Sequence, residues 1–195
     1  MNFQLKGRVI FFATNNINKF NEARIVLSEY GLAVGMVKVK TLEIQAESLE
    51  EIANTSVMEA FRKCRLPVIV EDAGLFVEAL NGFPGPYAAY VYKTIGNMGL
   101  LQLLDKAENR RAVFQSAISY YSAELDSPIC FKGESVGEIT RNERVKNNFG
   151  FGFDPVFQPS GASKTFAEMT LKEKNGYSHR AKALRKFAEW YVGRQ

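Results

Sequence analysis

The chain is poor in the residues that build metal clusters and covalent staples. Its 195 residues hold one histidine, His179, and two cysteines, Cys64 and Cys130. A lone histidine excludes a multi-histidine metal centre. The cysteines lie far apart and form no CxxC pair, so neither a disulfide framework nor a zinc ribbon is suggested. No apolar run reaches 18 residues, which leaves no candidate membrane span. No signal peptide is recognisable, and the expectation is a cytoplasmic protein without a membrane partner. Long runs of like charge are also missing. The net charge of +4 and pI of about 9.0 favour an anionic partner only weakly. There is no internal repeat, low-complexity tract or clear linker.

What is present is enough for a core. The hydrophobic fraction is 46% and the aromatic fraction 12%, which argues against disorder. This length predicts one domain or a two-lobed unit. The chain is organised around Val70–Val91. Val68, Ile69 and Val70 read as a short buried strand that ends in two acids, Glu71 and Asp72. Gly74, Gly82, Pro84, Gly85 and Pro86 crowd the turn that follows. Carboxylates at a strand end are held rigidly at a cleft. A strand surfacing into water is the equally weighted alternative.

Upstream, Arg8–Ala13 reads as a buried strand and 14–18 as a polar loop. A helix is expected from Lys19 to Tyr30, with Phe20, Ala23, Leu27 and Tyr30 inward and Gly31 as its stop. Strand, polar loop and helix together can present backbone N–H groups to a phosphate. Thr14 and Asn16 can add hydrogen bonds and Lys19 a charge. The loop lacks the glycines of a Walker A motif, and an ordinary strand-to-helix connection is the stronger reading of it alone. A second strand is expected over Met36–Lys40. Ser48 and Glu51 form a capping box for a helix from Leu49 to Lys63, with Leu49, Ile52, Ala53, Ser56, Val57 and Ala60 inward. Glu43 precedes it in an extended segment, either reaching across a cleft or simply solvated.

Downstream, Asn97 is expected to cap a helix to Lys106 that buries Leu100, Leu101 and Leu104. Arg111–Ser122 and Ile129–Ile139 read as a β-hairpin. Gly150–Gly161 interleaves Phe151, Phe153 and Phe157 with glycine. That pattern makes either a stacking platform for a planar base or a core turn. Asp154 precedes Pro155 and is expected in extended geometry. Thr170 and Glu173 box a helical turn carrying Lys172 and Lys174, ended by Asn175-Gly176. Ser178 caps a last helix from His179 to Val192, with Leu184, Phe187, Ala188 and Tyr191 inward. His179 and Arg180 then occupy its first turn, where cations oppose the helix dipole. An anionic or carbonyl-bearing ligand would explain the pair, and so would side chains turned away from the helix end.

Taken in order, FATNNINK, EIQAE, EDAGL with NGFPGPY, GFGFDPVF, and TFAEMTLKEKN with SHRAKAL resemble the inosine triphosphate pyrophosphatase family. No piece is specific alone, but five in sequence over nearly the whole chain are. The resemblance implies an α/β fold: a mixed, strongly twisted central sheet flanked by helices, in a single domain (1–195) of two lobes with an active-site cleft between them. It also implies a homodimer, and Mg²⁺-dependent hydrolysis of ITP, dITP or XTP to monophosphate and pyrophosphate. No nucleic acid polymer is implied. By the same resemblance Thr14, Asn15, Asn16 and Lys19 take the triphosphate. Glu43 and Asp72 hold the metal, with Glu71 as a further acid, and Asp72 is the base that activates water. Ala73, Phe151, Gly152, Phe153, Asp154 and Lys174 contact base and phosphate, and His179 and Arg180 read the purine. The chain departs from the commonest family pattern at Asn15, Ala73 and Ala88, and carries no lysine from Leu49 to Phe61. Those departures bear on phosphate affinity and rate. A pyrophosphatase for pyrimidine or other modified nucleotides, or a non-catalytic nucleotide or RNA-binding module, stands as the alternative. Against the last, Glu43, Glu71 and Asp72 would repel phosphate unless a metal lay between.

Overall fold

The computed structural model describes residues 8–41, 44–146 and 150–194. Seven strands form one open, twisted mixed sheet among these residues, in the order β2-β1-β3-β5-β6-β7, with β4 added beside β3. The strands are β1 (Arg8–Ala13), β2 (Leu32–Val37), β3 (Val68–Val77), β4 (Pro84–Gly85), β5 (Arg111–Tyr121), β6 (Ile129–Ile139) and β7 (Phe157–Pro159). Six helices pack on or beside the sheet: α1 (Ile17–Ser28), α2 (Leu49–Cys64), α3 (Ala88–Thr94), α4 (Gly96–Leu103), α5 (Leu171–Tyr177) and α6 (His179–Gly193). No described helix is long and apolar enough to cross a membrane.

Side-chain alternation along β1 and β3 splits the packing between two faces. Ile10, Phe12 and Ile69 join Ala23, Val26 and Leu27 of α1 and Ala181, Leu184 and Phe187 of α6. Ala13, Val68 and Val70 pack instead on Val57 and Ala60 of α2. A separate apolar cluster lies further along the long strands. It gathers Leu75, Val77, Phe114 and Ile139 with Val91, Leu100, Phe153 and Phe166.

The strand that ends at the acids in the sequence reading instead runs on to Val77, because β5 pairs with it residue for residue from Val68 to Val77. What stops near the acids is its parallel neighbour. β1 pairs with β3 only at Phe11↔Val68 and Phe12↔Ile69. Beyond Ile69 the two strands part beside Glu71 and Asp72, which alternate to opposite faces of the sheet. The connections from β1 to β2 and from β2 to β3 place α1 and α2 on opposite faces, so this opening is the switch point of the sheet, the usual ligand crevice of α/β folds.

Other boundaries move for local reasons. α1 starts at Ile17, because Asn16 Oδ1 accepts from the Asn18 and Lys19 N–H groups. β2 begins at Leu32, directly after Gly31 at φ 69°, and pairs with all of β1. α2 buries the six expected residues. Its Ser48 caps Glu51 N at 3.4 Å. Asn97 lies inside the first turn of α4, which starts at Gly96, and the preceding α3 has no counterpart in the sequence reading. Leu101 is only half-buried. α5 continues through Asn175-Gly176 to Tyr177. Asp154 heads a 3-10 turn rather than an extended segment.

Among the described residues, β6 has no strand partner beyond β5 until Gly137–Ile139 meets β7. Along that open stretch, Lys182 Nζ donates to Glu134 O at 2.9 Å and Lys186 Nζ to Lys132 O at 2.8 Å.

Candidate active site

The loop after β1 turns tightly, with Asn16 N donating to Thr14 Oγ1 at 3.1 Å. Asn15 is exposed at its tip. Lys19, three residues beyond the α1 cap, sends Nζ to within 3.0 Å of Glu71 Oε2. Across the sheet opening, Arg180 Nε lies 2.9 Å from Glu71 Oε1. Arg180 Nη1 also donates to Glu22 Oε2 at 2.5 Å. Glu22 Oε1 then accepts from Lys174 Nζ at 2.7 Å, and Lys174 Nζ donates to Asp154 Oδ2 at 2.6 Å. The result is an alternating chain of acids and bases: Lys19, Glu71, Arg180, Glu22, Lys174, Asp154. All but Lys19 are almost wholly buried.

Each link has a local cause. Glu22 sits on the inner stripe of α1 beside Ala23 and Val26. Lys174 and Arg180 lie on two short-spaced helices joined at Ser178, whose side chain caps α6 by accepting from Ala181 N. The first turn of α6 rests directly on β6 at Gly133. A Cβ there would meet His179 O at 2.2 Å and Ala183 N at 2.5 Å. Phe151 N donates to Asp154 Oδ2 at 2.9 Å. The half-exposed Phe151 ring lies 4.7 Å from Lys174 Nζ and 5.5 Å from the Arg180 guanidinium. Gly152 takes φ 62°, open to glycine at no cost. Phe153 turns into the core against Tyr92.

Burial and charge compete at every member. Burial raises the Glu71 pKa, but the charges of Arg180 and Lys19 overcome it and hold the group far below its ordinary range. Burial likewise opposes ionisation of Glu22, and Lys174 and Arg180 pull its pKa down. Asp154 is pushed up by burial, with Glu22 adding to the shift and Lys174 opposing it. Burial lowers Lys174 and Arg180, yet their carboxylate partners bring both above their usual values. His179 goes well below its usual 6.5, through burial first and the Arg180 charge second. Its neutral ring stacks on Phe114 at 4.7 Å and 8°. Its buried Nδ1 has no hydrogen-bond partner among the described residues.

Asp72 is different. Strand alternation turns it to the α2 face, and its register partner on β5 is Ala117, which packs with Leu49 and Ala53 of α2. Its side chain is half-buried. Ala73 lies next to it, half-buried, on the Glu71 side. The structure thus gathers Lys19, Glu71, Asp154, Lys174, Arg180 and Phe151 into contact. It places Thr14 and Asn16 at the mouth, sets Asp72 behind the strand, and sends Phe153 to the core. Glu43 lies outside the described residues. Among those residues no three of His, Cys, Asp and Glu stand close enough to share a metal ion. Concavities lie elsewhere, such as one of about 390 Å³ around Trp190 and Arg194. Charge, not cavity volume, therefore marks this site.

Two members escaped the sequence reading. Glu22 was detectable as a carboxylate on an otherwise apolar helical stripe. Ser116, whose Oγ donates to Glu71 Oε1 at 2.9 Å, left no signal, since a serine in a strand is ordinary.

The sequence matches the Ham1 family over residues 10–190. It is 50% identical to a dITP/XTP pyrophosphatase of Methanopyrus kandleri across 93% of this chain and 95% of that one. It is 48% identical to a dITP/XTP pyrophosphatase of Hyperthermus butylicus across 95% and 96%. Among solved structures it resembles the Staphylococcus aureus Ham1 protein, with a TM-score of 0.81 and 29% identity over 96% of this chain and 100% of that one.

Proposed function

The chain belongs to the Ham1 family, and from that premise we propose that it hydrolyses dITP, XTP and ITP to the nucleoside monophosphate and pyrophosphate, with Mg²⁺, in the cytoplasm. The observation that carries this reading is the convergence of Lys19, Lys174 and Arg180 with Glu71, Glu22 and Asp154 beside the point where β1 leaves β3. A triphosphate carries about four negative charges at neutral pH, so its site needs cations.

The residues present suit Mg²⁺. This ion prefers carboxylate oxygens and needs only one or two of them, the remaining positions going to waters and substrate phosphates. Asp72 offers one half-buried carboxylate and Glu43 is the second candidate, so the lack of a three-acid cluster is no obstacle. Held by Asp72 and Glu43, Mg²⁺ would supply neutralisation of the phosphate charge. The rest falls to the chain. Lys19 and the Thr14–Asn16 loop at the mouth receive phosphate. Asp72 takes the proton from the water that attacks the α-phosphorus in line with the leaving pyrophosphate.

Base choice follows from donors. Of the five N–H groups of a guanidinium, the described residues engage only those on Nη1 and Nε of Arg180. Its Nη2 donors suit the 6-oxo group of hypoxanthine or xanthine. The 6-amino group of adenine would meet donor with donor and stay unpaired. Neutral His179, with Nδ1 uncommitted, can complement the same edge. The homodimer belongs to this reading too. Tyr90, Met98 and Leu103 are 69, 61 and 52% exposed around α3 and α4, an apolar display that favours cover by a second subunit.

The test is a hydrolysis panel with and without Mg²⁺: dITP, XTP, ITP, ATP, dUTP and oxidised pyrimidine triphosphates, with products resolved. The expected result is Mg²⁺-dependent release of pyrophosphate from the 6-oxopurines, at least 10²-fold above ATP. Preference for pyrimidines, or binding without turnover, would sink it.

A further inference from the structure

Glu71 holds an unusual position for an acid in a site that receives a polyanion. It is 7% exposed, and its two oxygens are divided between two cations from different helices. Oε2 faces Lys19 of α1 at 3.0 Å, and Oε1 faces Arg180 of α6 at 2.9 Å. Ser116 Oγ donates to Oε1 and fixes the carboxylate from the third side, out of β5. The backbone of β3, paired on β5 through this stretch, leaves the carboxylate little room to turn. Asp72 looks the other way, so Glu71 does not share its surroundings.

The two cations differ in how they are held. Arg180 has a second carboxylate, Glu22, and is 2% exposed. Lys19 has only Glu71 among the described residues, and its side chain is 21% exposed. A phosphate arriving at the mouth can therefore draw Lys19 away while Arg180 stays. Once Lys19 leaves, the whole charge of Glu71 acts on Arg180.

Resting on the function proposed above, we propose that Glu71 is a positioning residue that couples phosphate capture at Lys19 to base reading at Arg180, and that it does so without ligating the metal. In the empty site it stands in for the phosphate on Lys19. In the filled site it becomes a second full anchor for Arg180.

The test is Glu71→Gln, a change of charge at nearly constant shape, with three readouts. First, calorimetric binding of inorganic tripolyphosphate without added metal should tighten at least threefold, since Lys19 loses its internal competitor. Second, the ratio of kcat/KM for ITP over ATP should fall about tenfold, since Arg180 loses one of its charged anchors. Third, the Mg²⁺ concentration for half-maximal rate should stay unchanged, whereas a metal ligand would raise it. A merely structural role would weaken tripolyphosphate and ITP together. That outcome overturns the proposal, as does a shifted Mg²⁺ requirement or no change in any readout. If Glu71→Gln does not fold, Ser116→Ala serves. It frees Oε1 without touching either cation, so the ITP-to-ATP ratio should fall two- to fivefold with tripolyphosphate binding constant, and an unchanged ratio overturns the proposal. A wild-type protein inactive on ITP would reject the function proposed above, while the tripolyphosphate readout would still decide whether Glu71 restrains Lys19.

Discussion

Glu71 and Asp72 are neighbours in sequence and strangers in space. They are consecutive in β3, and strand alternation puts them on opposite faces of the sheet. Glu71 is closed in by Lys19, Arg180 and Ser116 and is kept ionised by them despite its burial. Asp72 is half-exposed beside α2, on the side of Ala117 and Leu49. A charge locked between two cations is a poor proton acceptor and a poor metal ligand, because both uses cost it the partners that allow it to be buried. A half-buried carboxylate keeps part of its surface within reach of water. The lesson is that an acid pair in a strand should be read as two environments.

The sharpest way to break this comparison is Asp72→Asn. It should lower kcat on ITP by about 10²–10⁴-fold, the usual cost of a lost general base, while nucleotide binding and the unfolding midpoint in urea change little. Near-normal turnover would take Asp72 out of the chemistry and return Glu71 to consideration.

On the other face the expected loss is in the fold. Glu22→Ala leaves Lys174 and Arg180 short of a carboxylate in a dry interior. Removing one partner from a buried ion pair costs about 3–5 kcal/mol, so urea unfolding of Glu22→Ala should show a loss of that size. An exposed pair such as Lys164–Glu173 offers the contrast. Lys164→Ala, which removes that pair and leaves Glu173 on its Thr170 cap, should cost measurably less. Equal costs at the two sites would mean that the buried chain contributes no more than surface charge.

The smallest effect is on pH dependence. Glu22 and Glu71 have depressed pKa values in the folded chain, so their contribution is present above the ordinary 4.5 and is lost as pH falls below it. His179 acts earlier. The unfolded chain takes up a proton near 6.5 that the folded chain refuses. Stability should therefore decline as pH drops below 6.5, by at most about 1.4 kcal/mol per pH unit. His179→Gln should flatten that slope between about pH 6.5 and 5. A slope unchanged in the variant would assign the titration to another group.

Much of this was legible in the sequence where a local rule sufficed. All six inner residues of α2 followed from Ser48 and a 3.6-residue period, and β6 kept its expected ends. The β3 boundary was not legible, because consecutive acids and a glycine mark a strand end locally, and only pairing with β5 overrides them. Of the site, Lys19, Glu71, Asp154, Lys174 and Arg180 were singled out in advance, but not their mutual partners. Glu22 and Arg180 stand 158 residues apart, and no local pattern announces such a contact. The His179-Arg180 pair opening α6 invited a ligand as its explanation. For Arg180 the folded chain supplies two carboxylates of its own.

Lys182 and Lys186 carry a further consequence. Each spends its ammonium group on a carbonyl of β6 that no strand covers among the described residues. An uncovered strand edge is a template on which another chain can add. The two lysines blunt that template with charge drawn from α6, the helix that also presents Arg180. Neutralising both, by acetylation or by glutamine, would bare the edge and leave self-association through β6 as the predicted hazard. One helix thus guards a sheet edge with its lysines while it holds Arg180 against Glu71 and Glu22.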